Sequence, residues 1–126
     1  MSTRLTSLVA LLLVLALACS AASSAPADAG TSVCVRSDPV CAAATPTPSY
    51  SATVHAILVA TCVSCHYAGS DLAQSSLTTY DDVHDVFGAA LGQVSSCLMP
   101  PPGYPQLTDE QRTALLGWLA CGAPAN

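Results

Sequence analysis

Lysine is absent from this 126-residue chain, and its cationic side chains are Arg4, Arg36 and Arg112 alone. Against eight acidic residues they leave a formal net charge of −5. A chain so poor in cations cannot neutralise a phosphate backbone, which excludes nucleic-acid binding driven by charge. Charge of either sign is scarce, at 9% of residues, where an ordinary soluble domain carries roughly 25%. Hydrophobic residues reach 52%, so the chain is not of the disordered class, which combines high charge with low hydrophobicity. No apolar run reaches the roughly 18 to 20 residues needed to cross hydrocarbon. Nor is there a Ser/His/Asp set, a phosphate-cradling glycine loop or an EF-hand loop. The length allows one small domain. What the chain has in excess is cysteine, seven in all, which points to an oxidising compartment and to a bound metal.

The N-terminus bears on the compartment. Arg4 sits in a short polar start, and Leu8 to Ala18 is an unbroken apolar run of eleven residues, the size of a signal-peptide core. Residues 1–18 are therefore read as a signal peptide, and the product as exported to the periplasmic side or cell envelope. Ala16-Leu17-Ala18-Cys19 fits a signal-peptidase site and also resembles a bacterial lipoprotein box, in which Cys19 would carry a lipid anchor. Ala16 departs from that box, which usually has a leucine-like residue there. Cleavage after Ala22 or Ala25 would instead remove Cys19. Either route leaves six cysteines. Residues 19–49 then read as a flexible tether, rich in Ala, Ser, Asp, Pro and Gly, and a neck in which Cys34 and Cys41 bracket a short loop. Thr45-Pro46-Thr47-Pro48 is a stiff lead into residues 50–122, the folded domain, with 123–126 as a C-terminal tail.

Three helices are expected in that domain. Near Ala52 to Cys62, the residues Val54, Ile57, Leu58 and Thr61 fall on one face. Near Tyr80 to Val94, the apolar face is Val83, Val86, Phe87, Ala90, Leu91 and Val94, with Thr79 as N-cap and Asp81 and Asp82 at the positive end of the dipole. The third runs near Asp109 to Ala120, opened by the capping box Thr108-Asp109-Glu110-Gln111 and stopped by Gly122 and Pro124. It buries Leu115, Trp118 and Leu119. Nothing reads as a strand, so the fold class is all-α. Three short helices make a marginal core, and something else must fill the middle.

Cys62-Val63-Ser64-Cys65-His66 is C-x-x-C-H, the attachment signature of c-type haem. Two thiols three residues apart can add across the two haem vinyl groups, and the adjacent histidine then falls beneath the iron. Random placement of seven cysteines and three histidines produces this pattern in about one chain in a hundred. A thioredoxin-like pair would need a βαβ context, and structural zinc a second paired motif; neither is present. Once a signal peptide takes Met1 away, Met99 is the only thioether left. It lies in Leu98-Met99-Pro100-Pro101-Pro102-Gly103, where three prolines stiffen the loop, as holding a weak sulfur ligand requires. His66 and Met99 are thus the expected axial iron ligands, with His55 and His84 as rival sixth ligands.

Cys62-Val63-Ser64-Cys65-His66, a middle helix, Met99-Pro100-Pro101 and a closing helix through Trp118 together resemble a small bacterial class I cytochrome c over residues 50–122. The resemblance implies a cytochrome c-like fold of three main helices around one covalently bound haem c, the first and last crossing at one edge. It also implies His/Met ligation, one-electron transfer between redox protein partners, and no enzymatic reaction on a substrate. Lacking lysine, this chain cannot form the lysine-ringed docking face of the family's mitochondrial members, so the partner's surface is expected to be neutral or basic. Contact with a membrane is expected through the lipid anchor alone.

Of the remaining cysteines, the pairings Cys34–Cys41 and Cys97–Cys121 are expected. The first closes a loop outside the domain. The second closes about 25 residues and would contribute about 3.5 kcal/mol by loop-closure entropy. Two other functions stay open: a haem-based sensor or weak peroxidase with a labile sixth ligand, and a disulfide-stapled binding module without haem.

Overall fold

In the computed structural model, which describes residues 33–42 and 46–126, every regular element is helical and no strand occurs among the described residues. The expected signal peptide, Cys19 and most of the tether lie outside the described residues. Ser49 opens the first element, its hydroxyl accepting from the Ala52 amide at 3.3 Å. A π-helical turn at Tyr50–Val54 continues directly into α1, His55–Thr61. Next come α2, Tyr80–Asp85, and α3, Phe87–Ser95, and then α4, Asp109–Ala120.

Two of the expected helix starts carry full capping boxes. The Thr79 hydroxyl accepts from the Asp82 amide while the Asp82 carboxylate accepts from the Thr79 amide, and Thr108 and Gln111 repeat the arrangement at α4. Each box satisfies amides that a helix start leaves without intrahelical partners. The single helix expected from Tyr80 to Val94 is broken at Val86 (φ −117°, ψ 13°), whose amide turns back to the Val83 carbonyl. The break leaves Val83, Val86, Ala90 and Val94 facing one hollow, so the apolar period runs on across it.

The core forms where these faces meet. Val54, Ile57 and Leu58 from the first segment, Val83 and Val94 from the middle pair, and Leu115, Leu116 and Leu119 from α4 are buried. Trp118 is fully buried between Tyr50, at 5.6 Å between ring centroids, and Tyr80, at 6.5 Å. The π turn packs on α4, and so does α3. Gly122 (φ +83°) ends α4 in the left-handed region that favours glycine. The segment read as a tail, 123–126, is bonded into this arrangement. Ala123 is buried, Pro124 accepts from the Trp118 indole at 3.0 Å, and Asn126 accepts from Ser49 and Tyr50.

The disulfide pairing differs from the expected one. Cys34 is bonded to Cys97, and Cys41 to Cys121, so the pairs Cys34–Cys41 and Cys97–Cys121 are corrected. Residues 33–42 contain neither helix nor turn, so nothing brings Cys34 and Cys41 together. Instead the neck lies along the domain: the Ser37 amide donates to the Ser95 carbonyl at 3.2 Å, and the Arg112 guanidinium donates to the Val35 carbonyl at 3.4 Å. Proximity along the chain favoured the short loop; packing of the neck on the helices decided otherwise. Among the described residues no helix is long and apolar enough to cross a membrane, and the disulfides are compatible with an oxidising extracytoplasmic location.

Candidate functional site

The C-x-x-C-H segment unwinds from the end of α1. The Cys62 and Val63 amides both donate to the Leu58 carbonyl, at 2.8 and 2.9 Å, and the Cys65 and His66 amides both donate to the Cys62 carbonyl. This tight turn sets His66 one turn beyond Cys62. The chain then folds back, and the Leu77 amide donates to the His66 carbonyl at 2.8 Å. That return brings the Ser75 carbonyl to 2.9 Å from His66 Nδ1. A carbonyl can only accept, so Nδ1 carries the proton in this contact and Nε2 keeps its lone pair for a metal.

Cys62 and Cys65 are the free cysteines among the described residues, both half-buried. The Thr61 hydroxyl donates to the Ile57 carbonyl at 2.8 Å and lies 3.4 Å from Cys62 Sγ. Burial pushes the Cys62 thiol up, Cys65 adds to the rise, and the Thr61 hydroxyl opposes it. A thiol-exchange nucleophile is tuned the other way, toward thiolate. The environment of Cys62 runs against that tuning.

Cys62 and His66 line a cavity of about 370 Å³ together with Met99. That volume falls within the about 300–1,000 Å³ typical of small-molecule and cofactor sites. Its walls are apolar, from Leu58, Val83, Val86, Ala90, Leu115 and Leu119, and no acidic residue, lysine or arginine lines it. Met99 is 37% exposed, at the rim. Its amide and that of Leu98 both donate to the Gln93 carbonyl, at 3.1 and 2.9 Å, and Gln93 itself lines the cavity. The proline loop beyond is closed by Gln106, whose amide nitrogen donates to the Pro101 and Tyr104 carbonyls. The rival ligands His55 and His84 are exposed, pack against Tyr50 and Tyr80, and do not line this cavity.

The cavity thus gathers one unpaired thiol, an imidazole with one nitrogen held and a thioether against an apolar wall, while Cys65, the second free thiol of the motif, is not among its lining residues. Among the described residues no three His, Cys, Asp or Glu side chains are grouped so as to hold a metal ion. A larger hollow of about 740 Å³ lies between the neck and α4, lined by Pro39, Val40 and Pro48 beside Asp109 and Glu110. It is lined by no free thiol, histidine or methionine. Ser75 and Gln93 had no signal in the sequence, since both act through backbone carbonyls that any residue carries. Known protein families, curated proteins and solved structures provide no match to this chain.

Proposed function

We propose that this chain is a monohaem c-type cytochrome that carries single electrons between redox partners outside the cytoplasm. The carrying observation is that the free thiols among the described residues, Cys62 and Cys65, both belong to the C-x-x-C-H segment, whose Cys62 and His66 line an apolar cavity shared with Met99. Four other cysteines are locked in disulfides. In this reading the three main helices enclose the haem in a cytochrome c-like fold. Haem, when bound, supplies an iron that gains and loses one electron.

The chain's own residues do the rest. Cys62 and Cys65 are the residues that would hold the haem covalently, each thiol through one vinyl group. His66 would offer Nε2 to the iron, with the Ser75 carbonyl holding the tautomer and the ring. Met99 would offer its sulfur. The apolar wall excludes water and keeps solvent reorganisation small on electron transfer. The exposure of Met99 favours a second reading, a sensor or weak peroxidase in which that ligand yields to a small molecule.

The test is the protein purified from a host that matures c-type haem. After acid–acetone extraction the colour should stay with the polypeptide, and its mass should exceed that of the apoprotein by one haem. Colour lost to the solvent refutes covalent attachment. The oxidised protein should show the weak far-red sulfur-to-iron band, and Met99→His should remove it, keep a low-spin spectrum and lower the potential. A band absent from the native protein, with a spin state that responds to His55→Ala or His84→Ala, would reassign the sixth ligand.

A further inference from the structure

Met99 is anchored by its neighbours in the chain more than by its own side chain. Two residues before it, Cys97 adopts φ +62°, the left-handed region that non-glycine residues avoid. That conformation turns the chain off the end of α3, so that Leu98 and Met99 reach back to the Gln93 carbonyl. It persists only if the surroundings hold it.

Two groups from elsewhere in the chain meet at that turn. Cys34 of the neck is bonded to Cys97 across a separation of 63 residues. Arg112, on α4, donates to the Val94 carbonyl, and lies 3.4 Å from the Ser95 carbonyl, the Cys97 sulfur and the neck's Val35 carbonyl. One terminal nitrogen, Nη2, thus gathers the end of α3, the turn and the neck, held in place by the rigid plane of the guanidinium. A cation at the last carbonyls of a helix is also favoured by the dipole.

We infer that the neck is a strap that positions Met99, with the Cys34–Cys97 disulfide and Arg112 together holding the turn from which the sulfur ligand projects; this rests on the haem reading above. The second disulfide, Cys41–Cys121, fastens the neck to the end of α4 and has no part in that turn. It is the internal control, because removing it costs a cross-link of similar reach.

The experiment compares three variants of the full chain. In Cys34→Ser/Cys97→Ser and in Arg112→Ala, the far-red band should fall by at least half. The ferric protein should bind imidazole at least tenfold more tightly, and the Leu98 and Met99 amides should exchange hydrogen at least tenfold faster. In Cys41→Ser/Cys121→Ser the melting temperature should drop while those three readouts stay within twofold of native. Arg112→Lys, which keeps the charge but puts its nitrogen on a flexible stem without the rigid guanidinium plane, should fall between native and Arg112→Ala. The strap is overturned if the two disulfide variants move the three readouts equally, or if neither moves them. Should the polypeptide carry no haem, its mass reports that failure separately, and the exchange rates alone decide the strap by the same comparison.

Discussion

Tyr50 carries a buried hydroxyl with no hydrogen-bond partner among the described residues. Its ring is well placed, 5.2 Å from Tyr80 and 5.6 Å from Trp118 between centroids, so the residue is retained by packing rather than by its oxygen. Burial, helped by Asp82 and Asp81, pushes its ionisation up. An unsatisfied buried polar group costs about 1–3 kcal/mol. Tyr50→Phe keeps the ring and removes the oxygen, so it should stabilise the protein by about 1 kcal/mol, read as a rise in the thermal midpoint. A fall would show that the hydroxyl has a partner in solution. At the same scale His66 shows what a motif leaves out: its identity is legible from C-x-x-C-H, but the carbonyl that orients its ring comes from Ser75, nine residues on.

Among the elements, α2 makes the sharpest case for local chemistry. The Asp82 carboxylate accepts from the hydroxyls of Ser76 and Thr78, at 2.9 and 3.0 Å, and from the Thr79 amide at 3.1 Å. Those bonds, that of Ser76 foremost, hold its ionisation below the usual carboxylate range. A carboxyl whose folded value is depressed stabilises the fold above its unfolded value, near about pH 4, and loses that contribution as pH falls through the folded value. Thermal melts from pH 7 down to pH 2 should therefore show native stability declining below about pH 4, with a shallower decline for Asp82→Asn. Equal slopes would show that the carboxylate is solvated in both states. The break at Val86 was not legible, because no proline marks it, Gly88 falls inside the next helix and the apolar period continues across it.

At the scale of the whole molecule, the two disulfides interlock, closing separations of 63 and 80 residues across one another. Chain-entropy arithmetic assigns loops of that length about 4 kcal/mol each when taken singly, which suits a domain whose helical core is marginal. The charge pattern sets a further expectation, on the haem reading. With a net charge of −5 and a cavity lined by no acidic residue, lysine or arginine, long-range steering comes from the molecule's overall negative field. Oxidation by a small cationic one-electron reagent should slow as ionic strength rises, and oxidation by an anionic one should quicken. Stopped-flow rates at several salt concentrations decide this, and slopes of opposite sign would reveal a local cationic docking patch.

Helix α4 was legible almost to the residue, from Thr108 and Gln111 at its start to Gly122 beyond its end, because capping and termination are chemistry between near neighbours in the chain. The apolar face of α1 and the turn of Cys62, Cys65 and His66 were legible for the same reason. The cysteine pairing was not: Cys34 meets Cys97 and Cys41 meets Cys121 only because the neck lies back along the helices. Nor could periodicity show that Met99, His66 and Cys62 share one cavity while His55 and His84 do not, or that Arg112 reaches Val35, 77 residues away. Local sequence sets short-range hydrogen bonding and helical period, whereas which thiols, carbonyls and guanidinium meet depends on how the faces pack, and that the tertiary structure alone decided.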